Sequence, residues 1–233
     1  MKNYCIRKDY ISRNEAETFV DDPAKYWNEG RIKSSDFYQY YVYKKAAELA
    51  AQIDQCSFVD IGCGYPRKAK ELILPVVNDI TLVDQPSMKG LIEEQFPEMQ
   101  FIPLNLQKVD ATLQKKFNCV VCADVIEHLL DPDPLLAFIK RLLAPGGYVI
   151  ISTPEREMQR GPNCLSSPIA EHVREWNALE FLEYLSLSGF EVLEHSLMPI
   201  GKLTWVEEIV LPYVMRLKTR RYCGCQMAVC KLQ

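Results

Sequence analysis

Phe58-Val-Asp-Ile-Gly-Cys-Gly-Tyr65 is the stretch on which the fold turns. Its first half is apolar and β-branched with one acid, Asp60, and its second half holds two glycines separated by one residue. That pattern predicts a buried strand breaking into a tight turn. From Lys68 to Val77 the residues Leu72, Ile73 and Val76 follow a helix-like spacing, so Gly62, Cys63 and Gly64 fall where a strand hands over to a helix. Glycine suits such a junction because it lets the backbone approach a ligand closely and accepts positive φ. Arg67 stands where a dinucleotide-binding fingerprint would place its third glycine. Taken alone, the stretch fits either an ordinary strand-to-helix turn or a ligand cradle.

Working outward, Ile80–Val83 is a second apolar run that ends in Asp84 and Gln85. An acid at the end of a second strand is placed to accept hydrogen bonds from ribose hydroxyls. Gln100–Leu104 predicts a third strand and leads into Asn105 and Leu106. Asn118–Cys122 predicts a fourth, leading into Ala123 and Asp124, and a helix over 134–144 precedes a Pro145-Gly-Gly147 turn and a fifth strand, Tyr148–Ser152. Strands alternating with helices call for a parallel sheet covered on both faces.

Four motifs now stand in order: Val59-Asp-Ile-Gly-Cys-Gly64, Leu82-Val-Asp84, Ala123-Asp-Val-Ile-Glu-His-Leu129 and Leu143-Ala-Pro-Gly-Gly-Tyr-Val-Ile-Ile-Ser-Thr-Pro154. Over roughly residues 56–194 the chain resembles the class I S-adenosylmethionine-dependent methyltransferases. The resemblance implies an α/β, Rossmann-like fold with a seven-stranded, mostly parallel sheet, an antiparallel last strand and helices on both faces. It implies S-adenosyl-L-methionine as cofactor and S-adenosyl-L-homocysteine as product. Carried over residue by residue, the cofactor-binding set is Asp60, Gly62, Cys63, Gly64, Asp84, Gln85, Asn105, Leu106, Ala123 and Asp124. Asn105 stands where an aspartate is commoner in the family. Phe190–His195 and Cys225–Leu232 suit the last two strands, with a helix over 205–217 between them that Pro212 should bend or break.

Composition narrows the partners. The 233 residues, 48% hydrophobic, suit one α/β domain with an added segment. A net charge of −4 argues against a nucleic-acid binder, and the basic run 216–221 reads as a solvated face. The first residues lack the apolar core of a signal peptide and no uncharged run approaches a membrane span, so a cytoplasmic protein with reduced thiols is expected. Cys119 and Cys122, three apart in a strand, face opposite sides and cannot share a metal. Cys223, Cys225 and Cys230 read in the same way as small buried hydrophobes, and no metal site is expected.

Residues 1–55 precede the cofactor motif and are read as a helical lid and substrate segment, with 56–233 as the cofactor-binding core. A helix is predicted over 34–53. The aromatics Phe37, Tyr38, Tyr40, Tyr41 and Tyr43 serve either core packing or a lid, and Tyr26, Trp27 and Arg31 are candidates to meet the acceptor.

The remaining functional side chains cluster after the fourth and fifth strands. Glu127 and His128 leave a strand at its carboxyl end, where open α/β sheets bind ligands. A Gly161-Pro162 loop and then His172-Val-Arg-Glu-Trp176 resemble a subset of methyltransferases associated with bacterial surface-glycan gene clusters, whereas the Glu127-His128 region also resembles ubiquinone-pathway enzymes. Asn177 and Glu180 form a capping-box pattern for a helix over 178–188. Methyl transfer to a neutral hydroxyl needs a general base, a role open to His172 or His128, with Glu175 or Glu127 orienting the imidazole. Arg174 is the candidate for an acceptor phosphate or carboxylate. The expected activity is O-methylation of a sugar or glycan hydroxyl; a phenolic or quinone-like acceptor and a non-catalytic cofactor-binding subunit are the alternatives.

Overall fold

Seven strands form one sheet: β1 (Ser57–Ile61), β2 (Asp79–Asp84), β3 (Gln100–Pro103), β4 (Phe117–Ala123), β5 (Leu143–Pro154), β6 (Phe190–Met198) and β7 (Cys225–Leu232). They lie in the order β3-β2-β1-β4-β5-β7-β6. Strands β1 to β5 pair in parallel, and β7 runs antiparallel to both of its neighbours. This computed structural model describes residues 3–14, 16–17, 20–109, 113–214, 216 and 219–233. Leu217 and Lys218 of the basic run lie outside the described residues.

The strand order reverses beside β1, which has β2 on one side and β4 on the other. Ligands of open α/β sheets bind in the crevice at such a reversal, outside the carboxyl ends of the strands. Alternation along the strands feeds two apolar layers, one on each face. Phe58, Cys119 and Val121 join one cluster, and Val59, Val120 and Cys122 the other. Cys119 and Cys122 therefore face opposite ways, as do Cys225 and Cys230.

The helices are α1 (Pro23–Tyr26), α2 (Glu29–Phe37), α3 (Tyr40–Ala50), α4 (Lys89–Gln95), α5 (Asp133–Leu142), α6 (Arg156–Arg160), α7 (Ala178–Leu187), α8 (Trp205–Val214) and α9 (Arg220–Cys223). The single helix expected over 34–53 is two helices. Gln39 takes a left-handed φ of 54°, and the break lets the Phe37 carbonyl accept from the Lys202 amide at 2.8 Å while Tyr38 bridges Gly201. Gly201 is required there, because a Cβ would fall 2.2 Å from the Phe37 ring. After β1 the expected helix over 68–77 is a short π-helical segment, Ala69–Ile73. The α8 helix runs through Pro212 for two further residues rather than stopping at it. The capping box at Asn177 and Glu180 forms as read.

Candidate functional site

Gly62 and Gly64 adopt φ values of 75° and 54°, a region costly for residues with a Cβ. The turn is pinned because the Gly62 and Cys63 amides both donate to the Val83 carbonyl at the end of β2. At Gly62 a Cβ would lie 2.4 Å from a Val125 methyl, so the loop and the chain leaving β4 touch backbone to side chain. Asp84 closes the other side, its two oxygens accepting from the Gly64 and Gln85 amides at 2.7 Å each. Burial raises the Asp84 pKa while these two amides pull it back. Each oxygen keeps a lone pair for another donor.

Asp60 lies beneath this loop, fully buried, and lines none of the three cavities described next. Tyr43 donates to it at 2.8 Å, its second oxygen has no hydrogen-bond partner, and burial pushes its pKa up to about 7. Asn105 spends its side-chain oxygen on the Gln107 amide at 2.9 Å and, with Leu106, lines the adjoining cavity.

That cavity, of about 390 Å³, is walled by Gly62, Gly64, Asp84, Gln85, Asn105 and Leu106 on the sheet side. Val20, Tyr26, Trp27 and Arg31 of the N-terminal segment cover it, with the Arg31 guanidinium 3.9 Å from the centroid of the Tyr26 ring. Cys63 and Ala123 line a neighbouring cavity on the far side of the glycine loop. Asp124 borders both of these cavities and a third of about 300 Å³. It holds a left-handed φ of 53° and accepts from Ser152 at 2.6 Å and Gln39 at 2.9 Å.

His172 lines both the first and the third cavity and packs against His128. The Glu127 carbonyl accepts from the Val173 amide at 2.8 Å, tying the turn after β4 to the loop before α7. His128 and His172 are thereby set edge to face with centroids 4.7 Å apart. His128 Nδ1 lies 2.9 Å from the Glu171 carbonyl, which can only accept, so Nδ1 carries the proton and Nε2 is left as the acceptor. Burial, reinforced by His172, lowers the His128 pKa to about 4.

His172 Nδ1 lies 2.7 Å from Glu175, and its Nε2 is the remaining nitrogen. Glu175 is fully buried and also accepts from Arg160 and Ser167. Burial alone would raise its pKa; the bonds from His172, Arg160 and Ser167 overcome that and hold it at about 2. A carboxylate fixed in this way orients the imidazole.

Arg174 is placed elsewhere. Its guanidinium donates to the Leu129 and Leu130 carbonyls at 2.7 Å each and stacks over Tyr4, and it lines none of the three cavities. Glu127 is buried and accepts from Thr153 at 3.2 Å, with its other oxygen unpartnered. Glu127, His128 and His172 each present a ligand atom, all within 4.8 Å of one another. The trio has the ligand atoms to hold a divalent ion, a role the sequence did not suggest for these residues.

Sequence reasoning also missed Gln39, Gln159, Arg160 and Arg220, which line the third cavity with Tyr38 and His172. Gln39 was hidden inside an apparently continuous helix. Arg160 sat in view in the Gly161-Pro162 loop, and its charge was the available signal.

Comparison with known proteins agrees with this architecture. A family model described as a methyltransferase domain matches residues 35–195. A Mycolicibacterium smegmatis protein named as a probable S-adenosylmethionine-dependent methyltransferase is 31% identical over 156 residues, covering 65% of this chain and 57% of that one. The aligned stretch is thus little more than half of that relative's length. The ubiquinone biosynthesis O-methyltransferase of Rickettsia prowazekii is 24% identical, covering 83% of this chain and 80% of its own. Among solved structures, a chain in complex with the Haloferax volcanii Trm112 methyltransferase activator superposes with a TM-score of 0.69 at 17% identity, covering 92% of this chain and 97% of that one. The Burkholderia thailandensis 1,6-didemethyltoxoflavin-N1-methyltransferase, with S-adenosylhomocysteine bound, gives 0.61 at 17% identity over 94% of this chain and 93% of its own. The chain belongs to the methyltransferase domain family and is an S-adenosylmethionine-dependent methyltransferase.

Proposed function

We propose that the protein methylates a hydroxyl oxygen, with His172 as the general base, and that the acceptor is a sugar or glycan. The observation that carries the reading is the Glu175–His172 pair: a buried carboxylate fixes Nδ1 at 2.7 Å, and His172 lines both the cofactor cavity and the 300 Å³ cavity.

The cofactor suits the residues at the strand ends. The glycines bring bare backbone to the cavity, Asp84 keeps a lone pair on each oxygen for ribose hydroxyls, and Asn105 and Leu106 stand where an adenine ring would lie. Bound there, S-adenosylmethionine supplies an electrophilic sulfonium methyl. Tyr26, Trp27 and Arg31 exclude water from above, which favours a transfer in which charge is lost. His172 Nε2 takes the hydroxyl proton, and Glu175 stabilises the imidazolium that forms. Asp124, held by Ser152 and Gln39, stands at the junction of the cavities and orients the reacting partners.

The third cavity supports a hydroxyl-rich acceptor because Tyr38, Gln39, Gln159, Arg160 and Arg220 bring amide, phenol and guanidinium groups to a lining that also holds Pro154, Ile169 and Ile200. A phenolic or quinone-like acceptor is the second reading, favoured by the relatives named for ubiquinone biosynthesis. Incubating the protein and methyl-labelled cofactor with a host-cell extract separates them. Label in the water-soluble carbohydrate or nucleotide-sugar fraction is the expected result, and label confined to the organic phase sinks the glycan reading in favour of the second.

A further inference from the structure

The α8 helix carries Trp205, Val206, Ile209, Val210 and Tyr213, and all five are at least one-third exposed, Trp205 at 74%, Ile209 at 65% and Tyr213 at 71%. At 3.6 residues per turn they fall within an arc of about 140° on one side of the helix. Apolar side chains scattered singly over a surface are ordinary, but five contiguous ones, including two large aromatics, make a patch that needs a partner. The acids of the same helix do not interrupt it. Glu207 is held by Arg221 and Thr204, and Glu208 accepts from the Tyr41 hydroxyl at 3.0 Å on the body side.

Charge identifies the partner. Between Lys202 and Arg221 the sequence holds five basic residues and two acidic ones, in a chain whose net charge is −4. Lys202, Arg216 and Arg220 are exposed, and Arg216 and Arg220 follow the C-terminal end of the apolar face. An apolar helical face with aromatic side chains near both ends and a basic flank is suited to lying in the plane of an anionic lipid surface. A protein groove would be expected to supply acids at matched positions but would not call for Trp and Tyr at opposite ends of the face.

We propose that α8 docks the protein on the surface of an anionic lipid bilayer, its apolar face in the headgroup region and Arg216 and Arg220 against the headgroups. Among the described residues no helix is long and apolar enough to cross a membrane, so the contact is peripheral. Arg220 also lines the cavity that ends at His172, so docking sets the acceptor cavity beside the lipid surface.

Flotation of the full-length protein with vesicles tests this without any methyl-transfer assay. Phosphatidylcholine vesicles containing phosphatidylglycerol should carry the protein upward, pure phosphatidylcholine vesicles far less, and high salt should release it. Ile209→Glu, at an exposed position, should lower the bound fraction by about tenfold or more while leaving S-adenosylhomocysteine binding unchanged as a check on folding. Arg216→Ala should weaken binding to anionic vesicles alone. Failure to float with either vesicle overturns the proposal. If sedimentation then shows a dimer that Ile209→Glu dissociates, a second copy covers the face. Flotation that Ile209→Glu leaves intact also overturns it.

Discussion

The two halves of the site are assembled differently. In the glycine-loop half, Gly62, Gly64 and Asp84 come from one strand–helix–strand unit, and the contact that closes it spans 20 residues, from the Gly64 amide to Asp84. In the imidazole half, His128 and the Glu171 carbonyl are 43 residues apart, and the loop that carries His172 has no regular structure of its own. That loop is held by tertiary bonds. Tyr10 accepts from the Ser167 and Glu175 amides at 3.0 and 3.1 Å, and the Glu175 carbonyl accepts from Arg156 at 2.9 Å. The lesson is that the cofactor half is fixed by the turn itself, whereas the base is fixed only when the N-terminal segment, α6 and α7 have docked.

The largest expected effect comes from cutting that support. Arg156 is fully buried and forks onto Glu180 at 2.6 and 2.9 Å while also holding Glu175. Arg156→Ala strands a largely buried carboxylate and should cost about 3–5 kcal/mol in urea unfolding. If its stability is unchanged, the imidazole half does not depend on docking and the contrast fails.

On the other side, Asp84→Ala removes the acceptor of two amides and of the proposed ribose contact. It should weaken S-adenosylhomocysteine binding by about 2–3 kcal/mol in calorimetry, roughly 30- to 150-fold, and spare the imidazole pair. Loss of affinity below threefold would mean that the glycine turn holds the cofactor without it.

A smaller effect reports the environment of His128, whose folded pKa of about 4 lies below the usual 6.5. Between these values the unfolded chain binds the proton and the folded chain does not. The His128 contribution is therefore fully present above pH 6.5 and lost as pH falls through 4. Relative to His128→Gln, the wild type should lose on the order of 3 kcal/mol of stability across this window. Parallel stability curves would place His128 in contact with water.

The same contrast explains what could be read from the sequence. The positions of Gly62, Gly64 and Asp84 at the junction were legible because a turn between a strand and a helix restricts backbone and side chain within a few residues, whereas Asp60, read with them, lies beneath the loop on Tyr43. The seven-stranded, mostly parallel sheet and the antiparallel β7 followed from the family resemblance, whereas the strand order came from the structure. Gln39 was not legible, since a left-handed break in a run of helix-compatible residues is imposed by Gly201 and Lys202, more than 160 positions away. Arg174 suggested an acceptor contact because a charged residue in a loop reads as functional. Its partners are backbone carbonyls, which no side-chain pattern announces. The exposed face of α8 was equally hidden, because apolar spacing in sequence does not say which way a face turns.

The most direct test of the two-part site is His172→Ala, assayed for cofactor affinity and for single-turnover methyl transfer into the labelled fraction of the extract. The account predicts unchanged S-adenosylhomocysteine binding and transfer slowed by roughly 10²- to 10⁴-fold, the usual share of a general base. Transfer at the wild-type rate with binding intact would contradict it and remove His172 from the chemistry.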